Sequence, residues 1–122
     1  MINNIRNVTV LMAAYNDSLF IAGAIKSILS QSFREFEFLI IDDGSTDDTE
    51  KAVKGFSDSR IVYRKIQHKG LAGALNYGLN ISGSDWIARI DADDLNPADR
   101  LRKQIDYLNA NKGIDVISGW SV

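Results

Sequence analysis

The sequence predicts an α/β fold with three layers, in which helices cover both faces of a mainly parallel sheet of about five strands. Short apolar runs alternate along the chain with segments whose apolar residues recur at helical spacing. This alternation is typical of parallel strands joined by crossover helices. The length of 122 residues predicts a single domain spanning residues 1–122.

The first half of the chain alternates strand and helix twice. Residues 8–13 form an apolar run that indicates a buried strand. Apolar residues from 19 to 29 recur at helical spacing, and residues 16–18 offer caps for that helix. Residues 36–41 predict a second strand. Residues 46–56 predict a second helix with Ser45 as its N-cap.

The second half continues the same alternation. Residues 61–66 and 85–90 predict the third and fourth strands, with a helix at 71–81 between them. Pro97 is expected near the first position of a helix that runs to residue 110. Residues 114–118 predict a fifth strand, which completes the order β-α-β-α-β-α-β-α-β.

Composition excludes several classes of function. Fourteen basic and 16 acidic residues give a net charge of −2, so there is no basic excess for nucleic acid. The chain has no cysteine and one histidine, which excludes a disulfide scaffold, a zinc finger and a multi-histidine metal site. No segment reaches the roughly 18 apolar residues of a membrane span, and residues 1–7 lack the apolar region of a secretory signal.

Polar residues gather directly after the predicted strands. The clusters are Tyr15-Asn16, Asp42-Asp43, Gln67-His68-Lys69 and Asp91-Ala92-Asp93-Asp94. Open parallel sheets bind ligands at the carboxyl ends of their strands. The sequence therefore predicts one binding site built from segments that are far apart along the chain.

The acidic cluster after the fourth strand is the strongest chemical signal. Asp91 and Asp93 are spaced so that both carboxylates can converge on one divalent cation. Mg²⁺ and Mn²⁺ prefer oxygen ligands and bind substrate phosphates, which would stabilise a diphosphate leaving group. A solvated turn that caps the next helix is the alternative, although Asn96 is placed to do that capping.

The clusters after the first and second strands predict a nucleotide pocket. A carboxylate at Asp42 or Asp43 can accept a hydrogen bond from a base N–H or from sugar hydroxyls. Tyr15 can stack on a planar base. The alternatives are a simple turn around Gly44 and Ser45 and a tyrosine that covers the start of a helix.

With these residues in place, the chain resembles the N-terminal half of a family 2 glycosyltransferase, with the Rossmann-like nucleotide-binding half of the GT-A fold. The matching stretches come in the family's order and cover nearly the whole chain. They are residues 8–16, 27–33, 41–47, 69–76 and 88–94, followed by Pro97 to Leu101 and Gln104.

The resemblance implies a nucleotide-sugar donor, of the UDP or dTDP type, and a divalent metal, Mn²⁺ or Mg²⁺. Asp91 and Asp93 match the motif that meets the ribose and the metal–diphosphate. Five further positions match the family's nucleoside pocket. Asp43 matches the residue that contacts the base, Tyr15 the one that packs on the base, and Ala14 and Asn16 line the same wall. Asp42 matches a residue that contacts the ribose or keeps the loop ordered.

The resemblance further implies inverting transfer to the hydroxyl of a saccharide or lipid-linked acceptor, in bacterial surface-polysaccharide synthesis. A cytoplasmic location is expected, with the full-length protein at the cytoplasmic face of the membrane. The family's general base follows the metal motif, so it is expected beyond Val122, and the chain alone is expected to bind donor without transferring sugar. A truncated edge near Val116, Ile117 and Trp120 would then favour self-association.

Three other functions fit parts of the pattern. A receiver-like, Mg²⁺-binding signalling domain has a similar length, but its acidic pair should follow the first strand. A phosphatase loop would carry Thr or Val two residues after Asp93, where Leu95 stands. A module that binds a nucleotide without turnover remains open.

Overall fold

A computed structural model describes residues 7–117 and confirms the α/β architecture. Within that range, four strands alternate with four helices. The strands are β1 (Val8–Ala14), β2 (Glu37–Asp42), β3 (Ile61–Lys65) and β4 (Trp86–Asp91). The helices are α1 (Ile21–Leu29), α2 (Thr49–Lys54), α3 (Leu71–Ile81) and α4 (Arg100–Ala110).

The sheet is parallel throughout, with the strand order β3-β2-β1-β4. β1 lies between β2 and β4, so the direction of the crossovers reverses beside it. Ala14 is aligned with Asp42, and Ala13 with Asp91, which brings the carboxyl ends of these three strands to one edge. A reversal of this kind opens a crevice where parallel sheets bind ligands.

Alternate residues of the central strands bury the two faces of the sheet. Val10 and Met12 of β1 belong to a core with side chains of α1, α2 and α4. Leu11 lies between them in sequence and faces the opposite side, in a second core with Ala74 of α3. Burial on both faces explains why β1 and β2 are almost uninterrupted apolar runs.

α3 approaches the sheet closely because it carries a glycine at the contact. A Cβ added to Gly78 would overlap Cδ1 of Leu11 and lie 3.3 Å from Cγ1 of Ile41. Gly78 is therefore a packing residue.

The prediction of a fifth strand is wrong for the part of it that the structure describes. Residues 114–117 form no strand, and Ser118 lies outside the described residues. Val116 is 84% exposed, and the predicted apolar edge also includes Trp120, which lies outside the described residues. Alternating apolar residues favour a strand only where a neighbouring strand supplies hydrogen bonds.

Two helices begin later than predicted because their leading residues bond to distant segments. α2 begins at Thr49, with Asp48 instead of Ser45 at its N-cap, and α4 begins at Arg100, three residues after Pro97. The carbonyl of Pro97 accepts a hydrogen bond from the side chain of Gln31. Contacts with distant segments thus replace the first turn that the sequence predicted for α2 and for α4.

Candidate active site

Three carboxylates converge where β4 ends. Ligand oxygens of Asp91, Asp93 and Asp94 all lie within 4.8 Å of one another, and all three side chains are exposed. The N–H of Asp94 donates to the carbonyl of Asp91 at 3.1 Å, which closes the turn. Local desolvation and the negative charges of Asp91 and Asp93 raise the pKa of Asp94. A hard divalent cation fits this donor set because it would relieve that repulsion.

Asp94 is the residue of this cluster that sequence reasoning did not name as a ligand. The sequence motif, two aspartates separated by one residue, predicted only Asp91 and Asp93 as metal ligands. The tight turn brings the third carboxylate into the cluster. Arg89 pairs with this cluster, since its Nη2 lies 3.7 Å from Oδ1 of Asp91.

The loop after β1 is fastened to the loop after β2 by Asn16. Its backbone has φ of 52°, a left-handed conformation that asparagine tolerates better than most residues. Its side-chain carbonyl accepts hydrogen bonds from the N–H of Thr46 at 2.8 Å and of Asp47 at 3.3 Å. Its own N–H donates to Oγ of Ser45 at 2.9 Å. Asn16 therefore shapes the wall that sequence analysis assigned to the nucleotide.

Asp42 is fully buried and holds the loop after β2 in place. Its Oδ1 accepts the N–H of Ser45 at 2.9 Å, and its Oδ2 accepts the hydroxyl of Tyr63 at 2.6 Å. Burial and this hydrogen bond raise the pKa of the Tyr63 hydroxyl. Of the two roles expected for Asp42, ribose contact and loop order, these contacts favour loop order.

Asp43 joins three loops at the carboxyl edge. It is 3% exposed, and its carboxylate accepts the N–H of Lys69 at 2.7 Å and of Gly70 at 2.9 Å. Its own N–H donates to the carbonyl of Ala14 at 2.8 Å. Nδ1 of His68 lies 2.8 Å from Oδ2 of the same carboxylate. The side chain that the family places on the base is thus already fixed by the loop before α3.

Tyr15 follows β1 at the same edge of the sheet, 44% exposed, and His68 covers one face of its ring. The two ring centroids are 4.3 Å apart with an interplanar angle of 28°. Sequence reasoning gave His68 no role. The available signal was its position directly after a strand, like the other polar clusters.

Asp17 completes the crevice between β1 and β4. Burial raises its pKa, a hydrogen bond from the N–H of Tyr15 opposes that shift, and the negative charge of Asp93 adds to it. The register that aligns Ala13 with Asp91 places the loop after β1 beside the acidic loop after β4. The residues predicted to bind the nucleotide lie at the ends of β1, β2 and β4. They therefore share one edge of the sheet with the predicted metal ligands.

Known proteins match this chain along most of its length. The model of the family "Glycosyl transferase family 2" matches residues 9–121. The putative glycosyltransferase EpsE of Bacillus subtilis is 38% identical over 114 residues, which cover 90% of this chain and 41% of EpsE. A glucosyltransferase of Escherichia coli, WfaP, is 38% identical over 106 residues, covering 86% of this chain and 42% of WfaP. The chain thus spans about two fifths of these relatives.

A solved structure shows the same fold. The mannosyltransferase PcManGT of Pyrobaculum calidifontis, in complex with GDP-Man and Mn²⁺, superimposes with a TM-score of 0.78 at 27% identity. The match covers 87% of this chain and 33% of that one. The family match, the relatives and the shared fold agree with the resemblance found in the motifs. This chain belongs to glycosyltransferase family 2.

Proposed function

We propose that this chain is the donor-binding part of an inverting glycosyltransferase, which transfers a sugar from a nucleoside diphosphate to an acceptor hydroxyl. The observation that carries the proposal is the convergence of Asp91, Asp93 and Asp94 beside the loops after β1 and β2. A diphosphate bound there would have its nucleoside in the pocket of Tyr15 and Asp43. The receiver-like alternative is disfavoured because this acidic cluster follows β4.

The metal would be held by Asp91 and Asp93, with Asp94 beside them. Bound Mn²⁺ or Mg²⁺ neutralises the diphosphate and so makes it a better leaving group. The support is the chemistry of the donor set, because three carboxylate groups offer ligand oxygens within 4.8 Å of one another.

The nucleoside would lie against Ala14, Tyr15 and Asn16, with its base at Asp43. Each oxygen of Asp43 accepts one backbone N–H, and Oδ2 also lies 2.8 Å from Nδ1 of His68, so Oδ1 is the oxygen that can accept a hydrogen bond from the base. A uracil or thymine base offers its N3–H, whereas adenine has no donor at the corresponding ring nitrogen. WfaP is named for UDP-Glc, and PcManGT was solved with GDP-Man. Asp43 therefore supports a donor of the UDP or dTDP type, with guanine, which also carries a ring N–H, as the base to compare.

The acceptor would be a saccharide or a lipid-linked sugar. WfaP is named for a GlcNAc-diphosphoundecaprenol acceptor, a membrane lipid. Within residues 7–117, no helix is long and apolar enough to cross a bilayer. We place the protein in the cytoplasm, at the inner face of the membrane, in bacterial surface-polysaccharide synthesis.

The general base would come from beyond Val122, because it follows the metal motif in the family that the motifs resemble. At the carboxyl edge, Asp42 and Asp43 are engaged in loop hydrogen bonds, and Asp91, Asp93 and Asp94 form the acidic cluster. We therefore expect the chain to bind donor without transferring sugar. Incubation with labelled nucleotide sugars and simple acceptors tests this, and metal-dependent transfer at the rates of intact enzymes would refute it.

Calorimetry with UDP tests the metal role. We expect binding with Mn²⁺, loss of affinity with EDTA, and a similar loss for Asp93→Asn in the presence of Mn²⁺. Asp106→Asn, an exposed carboxylate on α4, is the matched control and should bind as the wild type does. Equal UDP affinity with and without Mn²⁺ would remove the metal from the proposal.

Base preference is tested in the same assay with UDP, dTDP, GDP and ADP. Asp43→Asn keeps one carbonyl oxygen for the loop N–H groups but replaces the second acceptor by a donor. We expect this variant to lose affinity for UDP and dTDP and to leave the weak binding of ADP unchanged. The proposal for Asp43 fails if UDP and ADP bind the wild type alike.

A further inference from the structure

We propose that Gln31 is a positioning residue that holds the acidic loop in its metal-binding shape. Gln31 follows α1 and is 1% exposed. Its Nε2 donates to the carbonyl of Pro97 at 2.7 Å and to that of Ser27 at 3.1 Å. Its Oε1 accepts the N–H of Leu101 at 3.0 Å. A single buried amide thus binds both ends of the segment that leads from the acidic loop into α4.

Neighbouring groups strengthen the same junction. The N–H of Ser32 donates to the carbonyl of Ala98 at 2.7 Å, and the N–H of Asn96 donates to Oγ of Ser27 at 3.1 Å. We call this set of bonds between residues 27–32 and 96–101 the α1–α4 clamp. Asn96 is only two residues after Asp94, so the clamp fixes the backbone immediately downstream of the carboxylates.

The carboxylates need this support because their side chains make few stabilising contacts themselves. The ion pair of Arg89 with Asp91 is 3.7 Å long and more than half exposed, a geometry that contributes little. Three like charges that converge also repel one another. The shape of the loop therefore depends on its two ends, which are β4 upstream and the α1–α4 clamp downstream.

Burying an amide is costly unless its hydrogen bonds are satisfied, and an apolar side chain of similar size avoids that cost. At Gln31, two of the three side-chain hydrogen bonds cross to Pro97 and Leu101, and the third goes to the carbonyl of Ser27. A residue needed only to fill the core would not require this geometry. Groups hydrogen-bonded directly to metal ligands contribute about 10- to 100-fold to metal affinity, and Gln31, which acts through the backbone that follows them, should contribute at the lower end of that range.

The test rests on the proposed metal function and measures Mn²⁺ binding directly, by electron paramagnetic resonance of free Mn²⁺, on variants that circular dichroism shows to be folded. Gln31→Met keeps a similar length and removes the hydrogen bonds. Leu39→Ala is the matched control, because Leu39 is equally buried but belongs to the core under α3. We expect Gln31→Met to weaken Mn²⁺ binding by about 10-fold. We expect Leu39→Ala to retain nearly wild-type affinity despite its lower stability.

Ser27→Ala is a milder variant for use if Gln31→Met does not fold. It removes only the acceptor of the Asn96 N–H within the clamp, and we expect a smaller loss of Mn²⁺ affinity that still exceeds the control's. Wild-type affinity in folded Gln31→Met, or an equal loss in Leu39→Ala, would overturn the role of Gln31, and wild-type affinity in Ser27→Ala would overturn that of the clamp. Absence of Mn²⁺ binding by the wild type would instead overturn the proposed metal function, and the clamp's role with it.

Discussion

Replacing Tyr63 with phenylalanine removes one oxygen atom and leaves the Asp42 carboxylate short of a partner. The lost bond is 2.6 Å long and its acceptor is fully buried. Hydrogen bonds to charged groups contribute about 1.5–3 kcal/mol, and a buried acceptor left unpaired keeps its desolvation cost. We therefore expect Tyr63→Phe to lower the free energy of unfolding by about 1.5–3 kcal/mol. For a domain of this size, that corresponds to a fall in Tm of roughly 6–12 °C.

Urea denaturation and thermal scans at pH 7 measure this effect. Tyr107→Phe is the matched control, since it removes the hydroxyl of a tyrosine that is about half exposed, and its stability should be unchanged. Asp42→Asn and the double variant complete a double-mutant cycle. The double variant should lose less stability than the sum of the losses of the two single variants. A Tm for Tyr63→Phe within 1 °C or so of wild type would show that Asp42 finds another partner, and would refute the reasoning.

Three further predictions concern the loops and the core. Asn16→Ala should have a free energy of unfolding about 1–2 kcal/mol lower than Asn16→Gly, because alanine is strained at φ of 52°. Equal urea midpoints for the two variants would contradict this. Gly78→Ala should lower stability by about 1–3 kcal/mol through overlap with Leu11, whereas Gly83→Ala, where an added Cβ meets nothing within 4 Å, should not. The hydrogen bonds and charge of Arg60 lower the pKa of Asp58 to about 2. Because the folded pKa is the lower one, this stabilisation is complete above about pH 4 and is lost as the pH falls towards 2. In Tm measurements across this range, Asp58→Asn should remove that part of the pH dependence, and an unchanged profile would count against the ion pair.

The parts of the fold that depend on local pattern were predictable from the sequence. α3 has the predicted bounds, 71–81, because its apolar spacing and the glycine before it are both local signals. β1, β2 and β4 lie within one residue of their predicted bounds, since each is a short apolar run that ends in polar residues. The convergence of Asp91 and Asp93 followed from the carboxyl edge of a parallel sheet, while the nucleotide roles of Ala14, Tyr15 and Asn16 stay predictions.

The remaining features depend on partners that are far away in sequence. Gln31 bonds to Pro97 and Leu101, and the sequence around residue 31 does not predict these partners. The late start of α4 has the same origin. Asp42 looked like a candidate ligand because the hydroxyl that occupies it belongs to Tyr63, on another strand. A buried polar side chain can be recognised as structural only once its partners are known.

The position of β4 beside β1 sets the order in which the chain can assemble. Thr9 pairs with Glu37, but Val8 pairs with Trp86, so the second pairing closes a loop about three times as long. The additional chain entropy costs about 0.9 kcal/mol. During synthesis, the segment through β3 can collapse on the growing chain before residues 86–91 arrive. The acidic loop is then the last part of the site to form, because its position depends on the pairing of β4 with β1.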